Sequence, residues 1–178
     1  MLQFDNKWKV LQVFFDEPTV EGGHQLREIS RKIKLALPSV KRYLLDLERE
    51  KLIIKKKHRI QGTPIYIADR DNPHFKFYRR IDILIRINHS GLLEKIKDEC
   101  MPNAIIFFGS AAKGEDTESS DIDLYVASVH KNIALDAYEK QLYRKINILF
   151  EPNFSKLSPE LKNNLLNGTK LSGYIKVF

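Results

Sequence analysis

The sequence predicts an α+β protein built from two modules, and three observations carry that expectation. Charge is unevenly divided, with 18 Lys/Arg against 10 Asp/Glu in residues 1–80 and 12 against 13 in residues 81–178, so a basic half is joined to a near-neutral one. Periodicity changes along the chain: the first half reads as three helices followed by a pair of strands, and the second as strands interleaved with helices. Finally, the apolar run Ala104–Phe108 breaks at Gly109-Ser110 and is followed by two aspartates spaced i and i+2. A hydrophobic fraction of 43% with 30% charged residues excludes a disordered chain, and 178 residues suffice for one ordinary domain or two small ones.

Trp8–Phe15 is apolar enough for a helix that Asp16-Glu17-Pro18 stops, and the Gly22-Gly23 loop follows. Leu26, Ile29 and Ile33 then recur at the spacing of a helix face, with Arg27, Glu28, Arg31 and Lys32 opposite. Only about four residues later the next helix should start near Pro38-Ser39, because proline suits a first turn, and Val40, Leu44 and Leu47 would face inward. After Glu50 the period becomes two: Leu52-Ile53-Ile54 and Ile65-Tyr66-Ile67 flank Lys55–Pro64 as a strand pair around Gln61-Gly62.

Three helices and a basic hairpin in that order resemble a winged helix-turn-helix domain, most closely over Leu26–Leu52. The resemblance implies that the second helix of the turn enters the DNA major groove while the hairpin lies along the backbone. Carried over, it names Ser39, Lys41 and Arg42 on the recognition helix, and Lys55, Lys56, Lys57, His58 and Arg59 on the wing. Arginine can read guanine in a bidentate way, and lysine neutralises phosphate with release of counterions. A solvated hairpin tip is the alternative for Lys55–Arg59. Lys34 and Lys51 stand where such domains often place glycine, so the turns are expected to form without a left-handed residue.

Phe75–Ile87 reads as a helix that is apolar almost all round, either a link between modules or a core helix of the second; its surplus surface would also serve a homodimer. Ser90 and Gly91 can start the next helix, Leu92–Glu99. Ala104–Phe108 and Asp121–Val126 are strand-like, Ile133–Tyr143 is helix-like, and Lys145–Phe150 is a further strand. Aspartates at i and i+2 on a strand project to the same face, which makes an oxygen-rich site suited to Mg²⁺. Gly109 allows a phosphate close to the backbone, and Ser110 adds a hydroxyl donor. The layout is that of phosphoryl transfer.

Phe108-Gly109-Ser110-Ala111-Ala112-Lys113-Gly114 and Ser120-Asp121-Ile122-Asp123-Leu124 resemble the nucleotidyltransferase superfamily that includes DNA polymerase beta, especially its minimal prokaryotic members. The resemblance covers about residues 92–175, with a helix at Leu161–Leu166 and a last strand near Tyr174–Val177. It implies that Asp121 and Asp123 are catalytic and hold Mg²⁺ or Mn²⁺, and that Gly109 and Ser110 grip the phosphates of an NTP. Lys113 would meet the triphosphate or face solvent. The family usually has a third carboxylate on a later strand, and here Asn147 takes that place between Ile146 and Ile148. An amide has no charge to hold a second metal or to accept a proton from an attacking hydroxyl, so Glu151 and, less well, Asp136 are the candidates to substitute.

The implied organisation is a winged helix-turn-helix over residues 1–70, a linker helix over 71–91 and a nucleotidyltransferase-like domain over 92–178. Two functions fit: a DNA-binding, Mg²⁺-dependent nucleotidyltransferase that moves an NMP from an NTP to an acceptor hydroxyl, or a DNA-binding regulator whose second domain has lost catalysis and senses nucleotide or mediates dimer and partner docking. The resemblance also implies a helical partner protein of the toxin–antitoxin type. The five histidines show no pair at ligand spacing and the single Cys100 lies near none of them, so a zinc site is not expected. Cys100 also excludes a disulfide framework, and the longest uncharged stretch, Cys100–Ala112, is too short to cross a bilayer. With no secretory apolar segment at the start, a cytoplasmic protein is expected.

Overall fold

The computed structural model describes residues 5–58 and 62–176. It divides into two compact units, Met1–Arg79 and Arg80–Phe178.

In the first unit α1 (Asn6–Asp16) is capped by Asp5, whose carboxylate accepts from the Trp8 amide at 2.8 Å. Then come β1 (His24–Gln25), α2 (Leu26–Ile33), α3 (Leu37–Arg49), β2 (Ile53–Lys57) and β3 (Pro64–Ala68). The three strands form an antiparallel sheet in the order β1-β3-β2, so β2 lies on the outside. Each helix turns its apolar stripe inward: Val10 and Phe14 of α1, Ile29 of α2, and Val40, Leu44 and Leu47 of α3 are fully buried together. Buried Arg79 donates to the backbone oxygen of Phe15.

Two turns depart from expectation. Lys34, which ends α2, has φ 55°, and Lys51, after α3, has φ 57°, so both turns use the left-handed conformation with a lysine in glycine's usual place. The Leu35 amide then bonds Ser30 O at 3.2 Å and the Leu52 amide bonds Leu47 O at 3.0 Å, satisfying helix-end carbonyls. Strand β1 is not legible in the sequence, because His-Gln carries no apolar alternation.

Helix α4 (Pro73–Ser90) contains the boundary between the units and exceeds the expected Phe75–Ile87 at both ends. Asn72 accepts from the His74 and Phe75 amides and starts it ahead of the apolar residues.

The second unit continues with α5 (Leu92–Cys100), β4 (Ala104–Phe108), α6 (Gly109–Lys113), β5 (Ile122–Val126), α7 (Asp136–Leu142), β6 (Ile146–Phe150), a 3-10 turn (Phe154–Lys156), α8 (Pro159–Leu166) and β7 (Thr169–Gly173). The sheet order is β6-β5-β4-β7; β5 and β6 are parallel and the other pairs antiparallel. One sheet face buries Ile105, Phe107 and Leu124 with Ile87, Leu92 and Ile96, and the other buries Ile106 and Tyr125 with Phe154 and Leu165. Covered on both faces, β4 reads as one uninterrupted apolar run.

The last strand is Thr169–Gly173, earlier than the expected Tyr174–Val177. Gly173, at φ 68°, ends the ladder where a Cβ would collide with the Asn103 carbonyl, and Val177 lies outside the described residues. As an edge strand β7 needs no continuous apolar run, so its mixed composition carries a weaker strand pattern than the Tyr174-Ile175 that follows it. Helix α7 is shorter than Ile133–Tyr143, because Tyr143 turns left-handed at φ 54° while Ile133 and Leu135 pack on the core before it starts.

Candidate functional site

The loop between α6 and β5 is held by a buried ion pair, Arg144 to Asp116 at 2.7 Å. The same guanidinium donates to the carbonyls of Thr117 and Ser120, both at 3.0 Å, and Ser120 Oγ accepts from the Thr117 amide at 2.9 Å. Asp121 follows directly, so the backbone entering β5 is fixed before the first carboxylate. Neither Asp116 nor Arg144 carries a signal in the sequence. Their pairing spans the α7 crossover, and only the fold brings them together.

Within the sheet, Asp123 stands opposite Phe108 on β4 and beside Asn147 on β6. Asp121, two residues earlier, shares its face. Asn147 Nδ2 donates to Asp121 Oδ2 at 2.9 Å and to Asp123 Oδ1 at 3.3 Å. The two aspartates thus converge on one atom, and the amide lies where the third carboxylate is expected. Gly109 follows Phe108 with φ 80°, and a Cβ there would collide with Asp123 Oδ2. Glycine is needed twice over, for its conformation and for the room it leaves the carboxylate.

Ser110 is exposed in the single turn of α6, and Lys113 is exposed at its end. Glu151 does not join the group. It lies past the end of β6, four residues from Asn147, where its carboxylate accepts from the Asn153 amide at 2.9 Å and its carbonyl accepts from Tyr125 at 2.8 Å. A regular strand carries it about 13 Å away. Asp136, the first residue of α7, is exposed. Beside the aspartates, Lys145 donates to Glu139 at 2.7 Å; that bond and the Glu139 charge hold its ammonium above the ordinary lysine value, with Asp136 and Asp121 adding a little. A cavity of about 410 Å³ opens at the far end of β5, lined by Tyr125, Ala127, Phe154 and Tyr174, and does not reach the aspartates.

Two carboxylates that meet at one donor fit a hard cation. Mg²⁺ binds through one or two protein carboxylates and leaves its other positions to water and phosphate oxygens.

In the first unit, Ser39, Lys41 and Arg42 lie in the opening turns of α3. Lys41 and Arg42 are exposed, and the Arg42 guanidinium rests 5.0 Å from the Tyr43 ring centroid, with Nη2 donating to Tyr43 Oη at 3.2 Å. Lys55, Lys56 and Lys57 are all exposed on β2. His58 closes the turn, its amide bonding Thr63 O at 2.8 Å, and Arg59 lies outside the described residues.

The second unit therefore carries paired aspartates beside a glycine-serine turn on a mixed sheet. Residues 92–171 match the model of the family Polymerase beta, Nucleotidyltransferase, which supports a nucleotidyltransferase-type domain in this part of the chain. Neither the curated proteins nor the solved structures gave a match. Among the described residues, no helix is long and apolar enough to cross a membrane.

Proposed function

We propose that the chain is a DNA-binding protein whose C-terminal unit binds an NTP with Mg²⁺ or Mn²⁺ and transfers its NMP to an acceptor hydroxyl. The observation that carries this reading is the convergence of Asp121 and Asp123 on one point above Gly109. Asp121 and Asp123 would hold the ion, which when bound supplies Lewis-acid stabilisation of phosphoryl oxygens. Gly109 and Ser110 take the phosphate oxygens, and Lys113 offers them a positive charge. Asn147 orients both carboxylates by donating to them. It cannot accept the proton of the acceptor hydroxyl, so the reading assigns no general base among these residues.

Incubation with each labelled NTP, Mg²⁺ or Mn²⁺ and cell extract should give a labelled product that Asp121→Asn abolishes. If no label transfers while nucleotide and metal together still raise the melting temperature, the second reading replaces the first: a regulator that senses nucleotide through a catalytically silent domain. The Asn147 bridge is what favours that alternative.

For the first unit we propose a winged helix, with α3 as the recognition helix and β2–β3 as the wing. The element order α1-β1-α2-α3-β2-β3 and the exposed Lys41, Arg42 and Lys55–Lys57 support it. Binding to duplex DNA should be steeply salt-dependent, and Lys55, Lys56 and Lys57 changed together to Ala should flatten log K against log salt by ~0.9 for each phosphate that is no longer neutralised. Ser39 and Arg42 would face the bases, and Arg59 would extend the wing. The reading also includes a cytoplasmic setting, a homodimer through α4, where Phe77 is 55% exposed, and a helical partner protein.

A further inference from the structure

His24 forms β1 with Gln25, pairs with Tyr66 of β3, and is fully buried with its ring edge-on to Phe14 at 5.1 Å between centroids. Its Nε2 lies 3.1 Å from the backbone oxygen of Glu17, a pure acceptor, so Nε2 carries the hydrogen, and in the neutral ring the lone pair is on Nδ1. Nδ1 makes no hydrogen bond. It faces Glu28 Oε1 at 3.6 Å and Glu17 Oε2 at 4.0 Å. In the neutral ring that lone pair faces two carboxylate oxygens, and positive charge among the three atoms, a proton or a metal ion, makes the arrangement favourable.

Lys32 supplies part of that charge, with Nζ 2.6 Å from Glu17 Oε2 and 3.0 Å from Glu28 Oε1, yet Nδ1 stays unbonded. Burial pushes the Glu28 carboxyl up, but the bonds from Lys32 and the Gln25 amide outweigh it, so Glu28 is held below its usual value. The ammonium acts as a stand-in ion on a flexible, partly exposed stem.

We propose that Glu17, His24 and Glu28 bind a divalent transition-metal ion of the Zn²⁺ type. Their ligand atoms all lie within 4.8 Å of one another. A tetrahedral ion with bonds of about 2.1 Å needs about 3.4 Å between ligand atoms, so small side-chain shifts bring the three into place while Lys32 swings outward. Imidazole nitrogen with carboxylate oxygen suits Zn²⁺ or Co²⁺, and the fourth position is left to water. The Nε2–H bond to the Glu17 carbonyl is the outer bond that fixes ring and tautomer in metal-bound histidines. The ion would tie the end of α1 to β1 and to the first turn of α2. Histidine spacing gives no sign of this site, because two of its three ligands are carboxylates.

The test is titration of the full chain with ZnCl₂ by calorimetry and with CoCl₂ by visible absorption, in an Asp121→Asn/Asp123→Asn background that removes the competing aspartates. One equivalent should bind and raise the melting temperature. Glu17→Gln and Glu28→Gln, both at partly exposed positions, should each weaken binding at least about tenfold and diminish the Co²⁺ d–d bands, whereas Lys32→Met should tighten it. His24→Ala should abolish binding, and the two glutamate variants decide the matter if that chain does not fold. Affinity weaker than about 1 mM, or equal affinity in wild type, Glu28→Gln and Lys32→Met, would mean an adventitious ion only and would overturn the proposal.

Discussion

Replacing Asn147 by Asp exchanges a neutral donor for a third negative charge at the point where two already meet. The wild-type amide gives two hydrogen bonds, at 2.9 and 3.3 Å, to Asp121 and Asp123. At an exposed position each is worth about 1 kcal/mol, so about 2 kcal/mol is lost with the donor. The new carboxylate also repels each neighbour by about 1 kcal/mol at ~4 Å in water-like dielectric, which brings the total to about 4 kcal/mol. At about 4–8 °C per kcal/mol for a unit of this size, the melting transition of the C-terminal unit should fall by roughly 16–32 °C in chelator at low salt. Millimolar Mg²⁺ should recover most of that fall in Asn147→Asp and almost none in Asn147→Ala, which loses the bonds without gaining a charge. Differential scanning calorimetry of the three proteins, with and without Mg²⁺, makes the comparison. If Asn147→Asp melts like wild type in chelator and is indifferent to Mg²⁺, the amide does not bridge the aspartates and the site's geometry is misread.

Lys51→Gly, and separately Lys34→Gly, should each stabilise by about 0.5–1 kcal/mol in urea melts, since relief of a left-handed L-residue exceeds the added entropy of the unfolded chain. Arg144→Met takes the guanidinium away from the buried Asp116 carboxylate and should destabilise by about 3–5 kcal/mol, and Arg144→Met/Asp116→Leu should recover much of it in the same melts. Burial, with the Glu99 charge adding, holds the Cys100 thiol above its ordinary value, so little thiolate forms at pH 8. Iodoacetamide labelling followed by mass spectrometry should therefore find native Cys100 slow and urea-unfolded Cys100 fast.

What is legible in the sequence is what depends on local pattern. Ile29, Val40, Leu44 and Leu47 face inward as their spacing predicts, because a helix in a small unit has one apolar stripe and one place to put it. Asp121, Asp123 and Asn147 meet because the i, i+2 spacing sets one face and the parallel register of β5 with β6 sets the other coordinate. What is hidden depends on partners distant in sequence. Arg144 and Asp116 look like ordinary surface charges until β6 folds beside β5. His24 looks solitary until the ends of α1 and α2 bring Glu17 and Glu28 to it. Lys34 and Lys51 show tertiary packing overriding a backbone preference: the turns between α2, α3 and β2 require the left-handed conformation whichever residue stands there.

The outer position of β2 gives its lysines a consequence that does not involve DNA. A strand at the rim of a sheet exposes unpaired amides and carbonyls, and another chain can dock on them as an added strand. Charge on such a rim keeps copies apart, because pairing two identical edges would bring like ammonium groups together. Lys55, Lys56 and Lys57 fill three of the five positions of β2. The same three residues that make this edge basic therefore also oppose edge-to-edge pairing of β2 between copies, which is a route to aggregation separate from any contact through α4.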